Sequence, residues 1–287
     1  MSGPNRHTFA LSALLALPLS FPATIVTCVT PAAAQTAAST TGNPLIAEGS
    51  WEDLRGDIIG DIDPKPGDAI LSMTAPYRAH DAATVPIELK QGDPTTGMIS
   101  SAKLVIDENP APVAAEMTFG GAMHPLDMEL RVRVNQYSNV RLIAETPGGP
   151  IMTGRFVKAS GGCSAPATRD PQVALSTMGE IRAKHFTPRQ ASTSQRREAQ
   201  IMIRHPNYSG LQRDQITQLF IAAHFVDHIE VRQGDDLLFT LDGGISLSEN
   251  PVIRFAYTDN GTPDLTIRAT DTEGNSWEKT LPKEPAT

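Results

Sequence analysis

Hydrophobic and polar positions alternate with a period of two along most of the chain, the spacing of strands that bury one face. Seven such runs lie at residues 69–75, 84–90, 99–106, 114–119, 128–134, 140–145 and 151–157. The cleanest, Arg131-Val132-Arg133-Val134, predicts valines pointing inward and arginines outward. Asn109-Pro110, Gly120-Gly121 and the run from Thr146 to Pro150 punctuate these segments. Six further runs follow at 199–204, 224–231, 236–241, 252–257, 265–270 and 275–280, separated by Gly234-Asp235, Asp242-Gly243-Gly244, Asp259-Asn260-Gly261 and Glu273-Gly274-Asn275, the turn chemistry of hairpins. Only two stretches read as helix. Trp51 to Ile59 is amphipathic behind Ser50, with Ser50 and Asp53 in capping-box positions. Asp170-Pro171 is a helix start for a segment running to about Lys184.

Short strands with regular turns in two groups predict an all-β protein of two immunoglobulin-like β-sandwich domains, joined by a linker containing a short helix. The expected boundaries are a lead with a short helix at 35–66, a first sandwich at 67–163, helix and linker at 164–197, and a second sandwich at 198–283. The stretch 187–200 is polar and charged, with Arg189, Arg196 and Arg197 among Ser, Thr and Gln, and reads as linker.

The first 34 residues differ in kind. Residues 8–34 carry no charge, follow a basic start at Arg6, are broken by Pro18, Pro22 and Pro31, and close on Ala32-Ala33-Ala34. This is the pattern of a secretory signal peptide cleaved after Ala34, and it places the mature chain in the periplasm. A membrane span needs about 20 uninterrupted apolar residues, which the prolines deny it. Cys28 lacks the residues that precede a lipoprotein cysteine, and no later apolar run predicts membrane contact after cleavage.

Processing removes Arg6 from the 24 basic residues and none of the 32 acidic ones. The mature chain is therefore acidic, with basic residues scattered among acidic ones, which excludes the concentrated basic face that nucleic acid requires. It also loses Cys28, so Cys163 is the sole thiol and no internal disulfide can form. In an oxidising compartment such a thiol is buried, paired between chains, or used chemically.

The neighbours of Cys163 favour use. Gly161 and Gly162 offer no side chains, Ser160 and Ser164 no apolar face, and Pro166 resists strand continuation, so the thiol is expected to project from a thin, mobile segment as a covalent attachment point. Ser160 and Ser164 have no recognisable His and Asp partners for serine catalysis. His224 and His228 have the spacing of metal ligands on a helix, but their segment alternates as a strand, where residues four apart stand roughly 13 Å apart. His205, beside Pro206, is placed in a loop as a turn residue. There is no phosphate loop and no Cys pair for redox exchange, so neither metal nor cofactor is expected. A thiol enzyme would need a cation beside Cys163, for which Lys158 and Arg169 are the nearest in sequence.

The stretch 67–163 resembles SoxY, the sulfur-carrying subunit of bacterial thiosulfate oxidation, through Val85-Pro86-Ile87, residues 105–112, residues 128–134 and Gly161-Gly162-Cys163. Residues 201–277 resemble its partner SoxZ through His205-Pro206, Gly210-Leu211, Ala223-His224-Phe225 and residues 245–251. The order of the two halves is similar to that of the quinoprotein dehydrogenase-associated SoxYZ-like carrier proteins. The resemblance implies a non-catalytic carrier, with Cys163 as the carrier thiol, Gly161, Gly162 and Ser164 as its carrier segment, and periplasmic redox enzymes of the Sox or quinoprotein dehydrogenase system as partners. It departs at Ser164: a SoxY chain ends on glycines after the cysteine, whereas this one continues. A loop held at both ends swings less far than a terminal arm. The rival reading is a non-covalent scaffold for a periplasmic dehydrogenase or cytochrome, with Cys163 merely buried.

Overall fold

The computed structural model describes residue 43 and residues 45–46, 49–166, 171–186 and 195–283. The expected signal peptide at 1–34, Arg169, Asp170 and residues 187–194 of the polar stretch 187–200 lie outside these residues. No described helix is long and apolar enough to cross a membrane.

The described residues form fifteen strands: β1 (Lys65–Pro66), β2 (Leu71–Thr74), β3 (Val85–Gln91), β4 (Ser101–Ile106), β5 (Val113–Phe119), β6 (Asp127–Val132), β7 (Ser138–Thr146), β8 (Gly149–Val157), β9 (Ile181–Phe186), β10 (Arg196–Ile203), β11 (Val226–Gln233), β12 (Asp236–Gly243), β13 (Val252–Thr258), β14 (Asp264–Asp271) and β15 (Ser276–Pro282). All thirteen alternating runs of the sequence are strands. They make two sheets, one in the order β1-β8-β7-β4-β5-β12-β11-β14-β15, the other β2-β3-β6-β13-β10-β9. Along β3 the alternation is complete, with Val85, Ile87, Leu89 and Gln91 buried and the residues between them exposed. Ile87 and Leu89 share one core with Leu104 and Leu142 of the other sheet, and each such aliphatic side chain contributes about 1.5–3 kcal/mol by leaving water. The architecture is all-β and immunoglobulin-like.

The two halves share both sheets. β5 pairs antiparallel with β12, Phe119 opposite Phe239 and Ala115 opposite Gly243, and β6 pairs with β13, Leu130 opposite Ile253. Each half would otherwise present two strand edges with unpaired N–H and C=O groups, and the pairing satisfies them. The core is continuous as well, running from Leu71 to Ala269.

Three local expectations change. The second helix covers only Pro171–Ser176; Gly179, at φ +83°, turns the chain, and 181–186, expected as helix and linker, forms edge strand β9 against β10. A Cβ at Gly179 would fall 1.9 Å from the Trp277 indole nitrogen, so the turn requires glycine on steric as well as conformational grounds. The first helix, α1 (Trp51–Ile59), forms as expected but without the capping box. The Ser50 hydroxyl instead donates to Glu108 at 2.5 Å, seating α1 on a small apolar cluster of Ile59, Val105 and Ile143. Finally, Arg133 does not face outward. β6 ends at Val132, the backbone N–H of Arg133 donates to Ser246 O of the other half at 2.7 Å, and the residue is 1% exposed.

Candidate functional site

Past β8 the chain turns back across the end of β6 and enters the segment expected to project. It is instead fastened down. The N–H of Gly161 donates to Asn135 O at 2.8 Å, that of Gly162 to Val134 O at 3.1 Å, and that of Ser164 back to Gly161 O at 3.2 Å. Gly161 takes φ +77°, where its missing Cβ avoids strain. Gly162 is required for a different reason: a Cβ there would lie 2.1 Å from Ala82 O and 2.7 Å from Val134 O. Ser164 is exposed and spends its hydroxyl on Gly161 O at 3.3 Å.

Three carbonyls of the segment are held from a distance. Gly162 O accepts from Arg133 Nη1 at 3.1 Å, Cys163 O from the Ser209 hydroxyl, and Ala165 O from Gln212 Nε2 at 3.0 Å. Cys163 itself is fully buried. The expected accessible, mobile thiol is therefore sequestered in this conformation, because non-local donors satisfy the backbone of a Gly-rich segment that has no apolar side chains of its own to anchor it.

Arg133 organises the centre of this region. Besides Gly162 O, its Nε donates to Leu247 O and its Nη2 to Asn207 O, both at 3.3 Å, so one guanidinium ties the carrier segment to two loops of the second half. Burial pushes Arg133 below its ordinary value, while negative charge at Cys163, Glu249 and Asp81 pushes the other way. Burial pushes the Cys163 thiol up to about 11, opposed by the Arg133 charge. Desolvation wins, and the closed thiol stays protonated at neutral pH. Of the two cations nearest to Cys163 in sequence, Arg169 lies outside the described residues and the Lys158 ammonium lies over the Tyr77 ring. The cation whose charge opposes the thiol's rise is Arg133, expected from the strand pattern to face outward.

The thiol's shift sets a pH dependence. Unfolded, it ionises near 9; folded, near 11. Its contribution to stability is complete below about pH 9 and is lost as pH rises through the folded value, a change on the order of 3 kcal/mol. Urea unfolding of the wild type and Cys163→Ala between pH 8 and 10.5 should show the stability gap between them shrinking with pH. A constant gap would mean the thiol is not desolvated.

The histidines regroup. His228, on β11, pairs with Asp242 at 2.6 Å at the surface, whereas His224, just before β11, turns inward. The two do not meet, as expected of a strand. His224 joins His205 and Asp271 instead: Nε2 of His224 lies 2.6 Å and Nε2 of His205 3.3 Å from Asp271 Oδ2. Asp271 also accepts from the N–H groups of Glu273 and Asn275 at 3.0 and 2.9 Å and from Asn275 Nδ2 at 2.8 Å. Burial would raise the Asp271 carboxyl, but the bonds from Asn275, His224 and His205 overcome it and hold the group well below the carboxylate range. Burial lowers His205, with the Asp271 bond opposing.

The three residues bring ligand-type atoms within 4.8 Å of one another, a grouping that could hold a metal ion. The tautomer of His205 decides against it. Its Nδ1 accepts the Asn207 N–H at 3.0 Å, so the ring proton sits on Nε2 and occupies the position a metal would need. The cluster is a hydrogen-bonded knot anchoring the β14–β15 turn to the loop of His205. Nothing in the local sequence signals it, since its members lie 47 and 66 residues apart.

The fold and site define a protein of two sheet-sharing β-sandwich halves that enclose a single thiol at their junction. Residues 55–163 match the family described as "Sulfur oxidation protein SoxY" and residues 184–282 the family described as "Sulphur oxidation protein SoxZ". The chain thus carries a SoxY and a SoxZ domain in tandem, and the SoxY match ends on Cys163. Among solved structures, the chain is similar to the sulfur carrier protein SoxY from Chlorobium limicola f thiosulfatophilum at 20% identity, over 38% of this chain and 91% of that one, with a TM-score of 0.33. No curated protein matches significantly.

Proposed function

We propose that this protein is an exported, periplasmic carrier of the sulfur-oxidation type, in which Cys163 holds a sulfur-containing or related group for partner enzymes. The observation that carries this reading is the coincidence of the SoxY match's last residue with the only cysteine left after processing. The carrier segment is Gly161, Gly162, Cys163 and Ser164, and the described conformation is its resting state. Loading requires the segment to leave the junction, because a thiol buried and protonated to about pH 11 is a poor nucleophile. Bond formation and cleavage belong to the partners, which are enzymes of the Sox system or of a quinoprotein dehydrogenase system. The SoxZ half completes both sheets of the SoxY half and supplies donors to the carrier segment.

Intact-mass measurement of protein taken directly from the periplasm tests this. The wild type is expected to carry an adduct that Cys163→Ser lacks at unchanged fold, and oxidation in cells should fall with it. Full activity in Cys163→Ser would overturn the reading.

Burial of the thiol favours a second reading, a non-covalent scaffold for a periplasmic dehydrogenase or cytochrome. It predicts an unmodified mass in every preparation and labelling of Cys163 only after global unfolding.

A further inference from the structure

We propose that the segment Asn207–Gln212 of the SoxZ half is a latch that keeps the thiol of the SoxY half shut, and that opening it is the step that exposes Cys163. The inference rests on the reading of Cys163 as a thiol that has to emerge. Its physical basis is the way one short segment holds two carbonyls of another directly and braces the arginine that holds a third. Ser209 Oγ donates to Cys163 O, Gln212 Nε2 donates to Ala165 O at 3.0 Å, and Asn207 O accepts from Arg133 Nη2 at 3.3 Å while Nη1 of the same guanidinium holds Gly162 O at 3.1 Å.

The latch is organised internally and anchored on its own side. Gln212 Oε1 accepts the Ser209 N–H at 3.1 Å, and the Ser209 hydroxyl accepts the Leu211 N–H at 3.3 Å. Its root is an antiparallel bridge in which Tyr208 and His224 exchange N–H···O bonds of 2.7 and 2.9 Å. Asn207 Oδ1 adds a bond from the Val226 N–H at 3.0 Å. Asn207, Ser209 and Gln212 are all buried, Gln212 completely. Buried polar side chains are retained where they are fully bonded; the Ser209 hydroxyl and the Gln212 amide complete their bonding on the carrier segment, and Asn207 completes its own on Val226 N–H and Leu247 O.

The carrier segment returns little apolar packing, so these donors hold it. Gly161, Gly162 and Ser164 have no apolar side chain, and only the Cys163 sulfur is in the interior. Removing one donor leaves a carbonyl unpaired in the closed state, buried at Cys163 and half-buried at Ala165, but solvated in the open one, which shifts the equilibrium toward opening. Each loss is expected to raise the open population about tenfold.

The test is the rate at which a small thiol reagent, 5,5′-dithiobis(2-nitrobenzoate), labels the full native protein at pH 7.5. Gln212→Met keeps the side-chain volume and removes the donor; Ser209→Ala removes the other. Each is expected to label about tenfold faster than the wild type, the double variant faster still, and the exposed neighbour Gln215→Ala at the wild-type rate. Thermal unfolding of the same samples separates local opening from general loosening. Wild-type labelling rates in both latch variants would overturn the proposal, as would acceleration that only tracks a lowered Tm. Labelling needs no cargo, so an absent adduct would defeat the carrier reading while leaving the latch standing.

Discussion

Gly162→Ala is expected to unseat Cys163 from the interior. The new Cβ would lie 2.1 Å from Ala82 O and 2.7 Å from Val134 O, both backbone atoms that cannot rotate away. Relief requires breaking the bond from Gly162 N–H to Val134 O, or moving the bond from Val134 N–H to Ala82 O, which are 3.1 and 2.8 Å long. Overpacking commonly costs about 1–3 kcal/mol, and here unpaired buried carbonyls add to it. The segment has an escape that a core strand lacks, because it can lift off the junction. Native thiol labelling should therefore rise by well over tenfold, with a fall in Tm of several degrees. Gly161→Ala is the control: it meets only Ser164 Oγ, at 3.8 Å, and carries just the strain of φ +77°, on the order of 1 kcal/mol. Equal effects of the two substitutions would show that steric exclusion at Gly162 does not hold the segment.

Asp271→Ala should be the most damaging single change to stability. It strips the acceptor from the N–H groups of Glu273 and Asn275, from Asn275 Nδ2 and from both imidazoles, at a side chain that is 0% exposed. Orphaning several buried donors at once costs about 3–5 kcal/mol, or a drop on the order of 10 °C in Tm for a domain of this size. The pH dependence has the opposite sense to that of Cys163. Because the folded carboxyl lies below its ordinary 3.8, its stabilisation is present above about pH 4 and is lost as pH falls toward the folded value. The stability gap between wild type and Asp271→Ala should accordingly be constant near neutrality and narrow in acid. A gap that stays constant down to pH 2 would contradict the depressed carboxyl.

The strands were legible because a sheet with one buried face imposes a period of two on the residues that form it, as along β3, although β7, between β8 and β4, buries Ser138–Ala144 without alternation. The helix expected to reach Lys184 ends at Ser176, and the chain then turns at Gly179, where Trp277 from the far end of the chain leaves no room for a side chain. Arg133 was misread for a related reason. Alternation predicts which side of a strand a residue occupies, but β6 stops at Val132, and past a strand's end the pattern no longer specifies direction. His205 and His224 stood out only as parts of the resemblance, and their meeting with Asp271 was not legible in the sequence. The spacing that drew attention, His224 with His228, joins residues that share no site, whereas the members of the knot are brought together only by the antiparallel bridge at Tyr208 and the β14–β15 turn.

Cys163 shows the division most directly. That it is the only cysteine after Cys28, that it sits among glycines and serines, and that it stands where a SoxY-like pattern ends are all properties of the chain written in order. Whether such a thiol projects or hides is not, because its Gly-rich segment has no side chains with which to choose. That choice falls to Arg133, Ser209 and Gln212, which lie between 29 and 47 residues away from the carbonyls they hold. Ser209 and Gln212 reach it only because the two halves share both sheets, so that donors of one meet acceptors of the other, while Arg133 comes from just past the end of β6 in the same half.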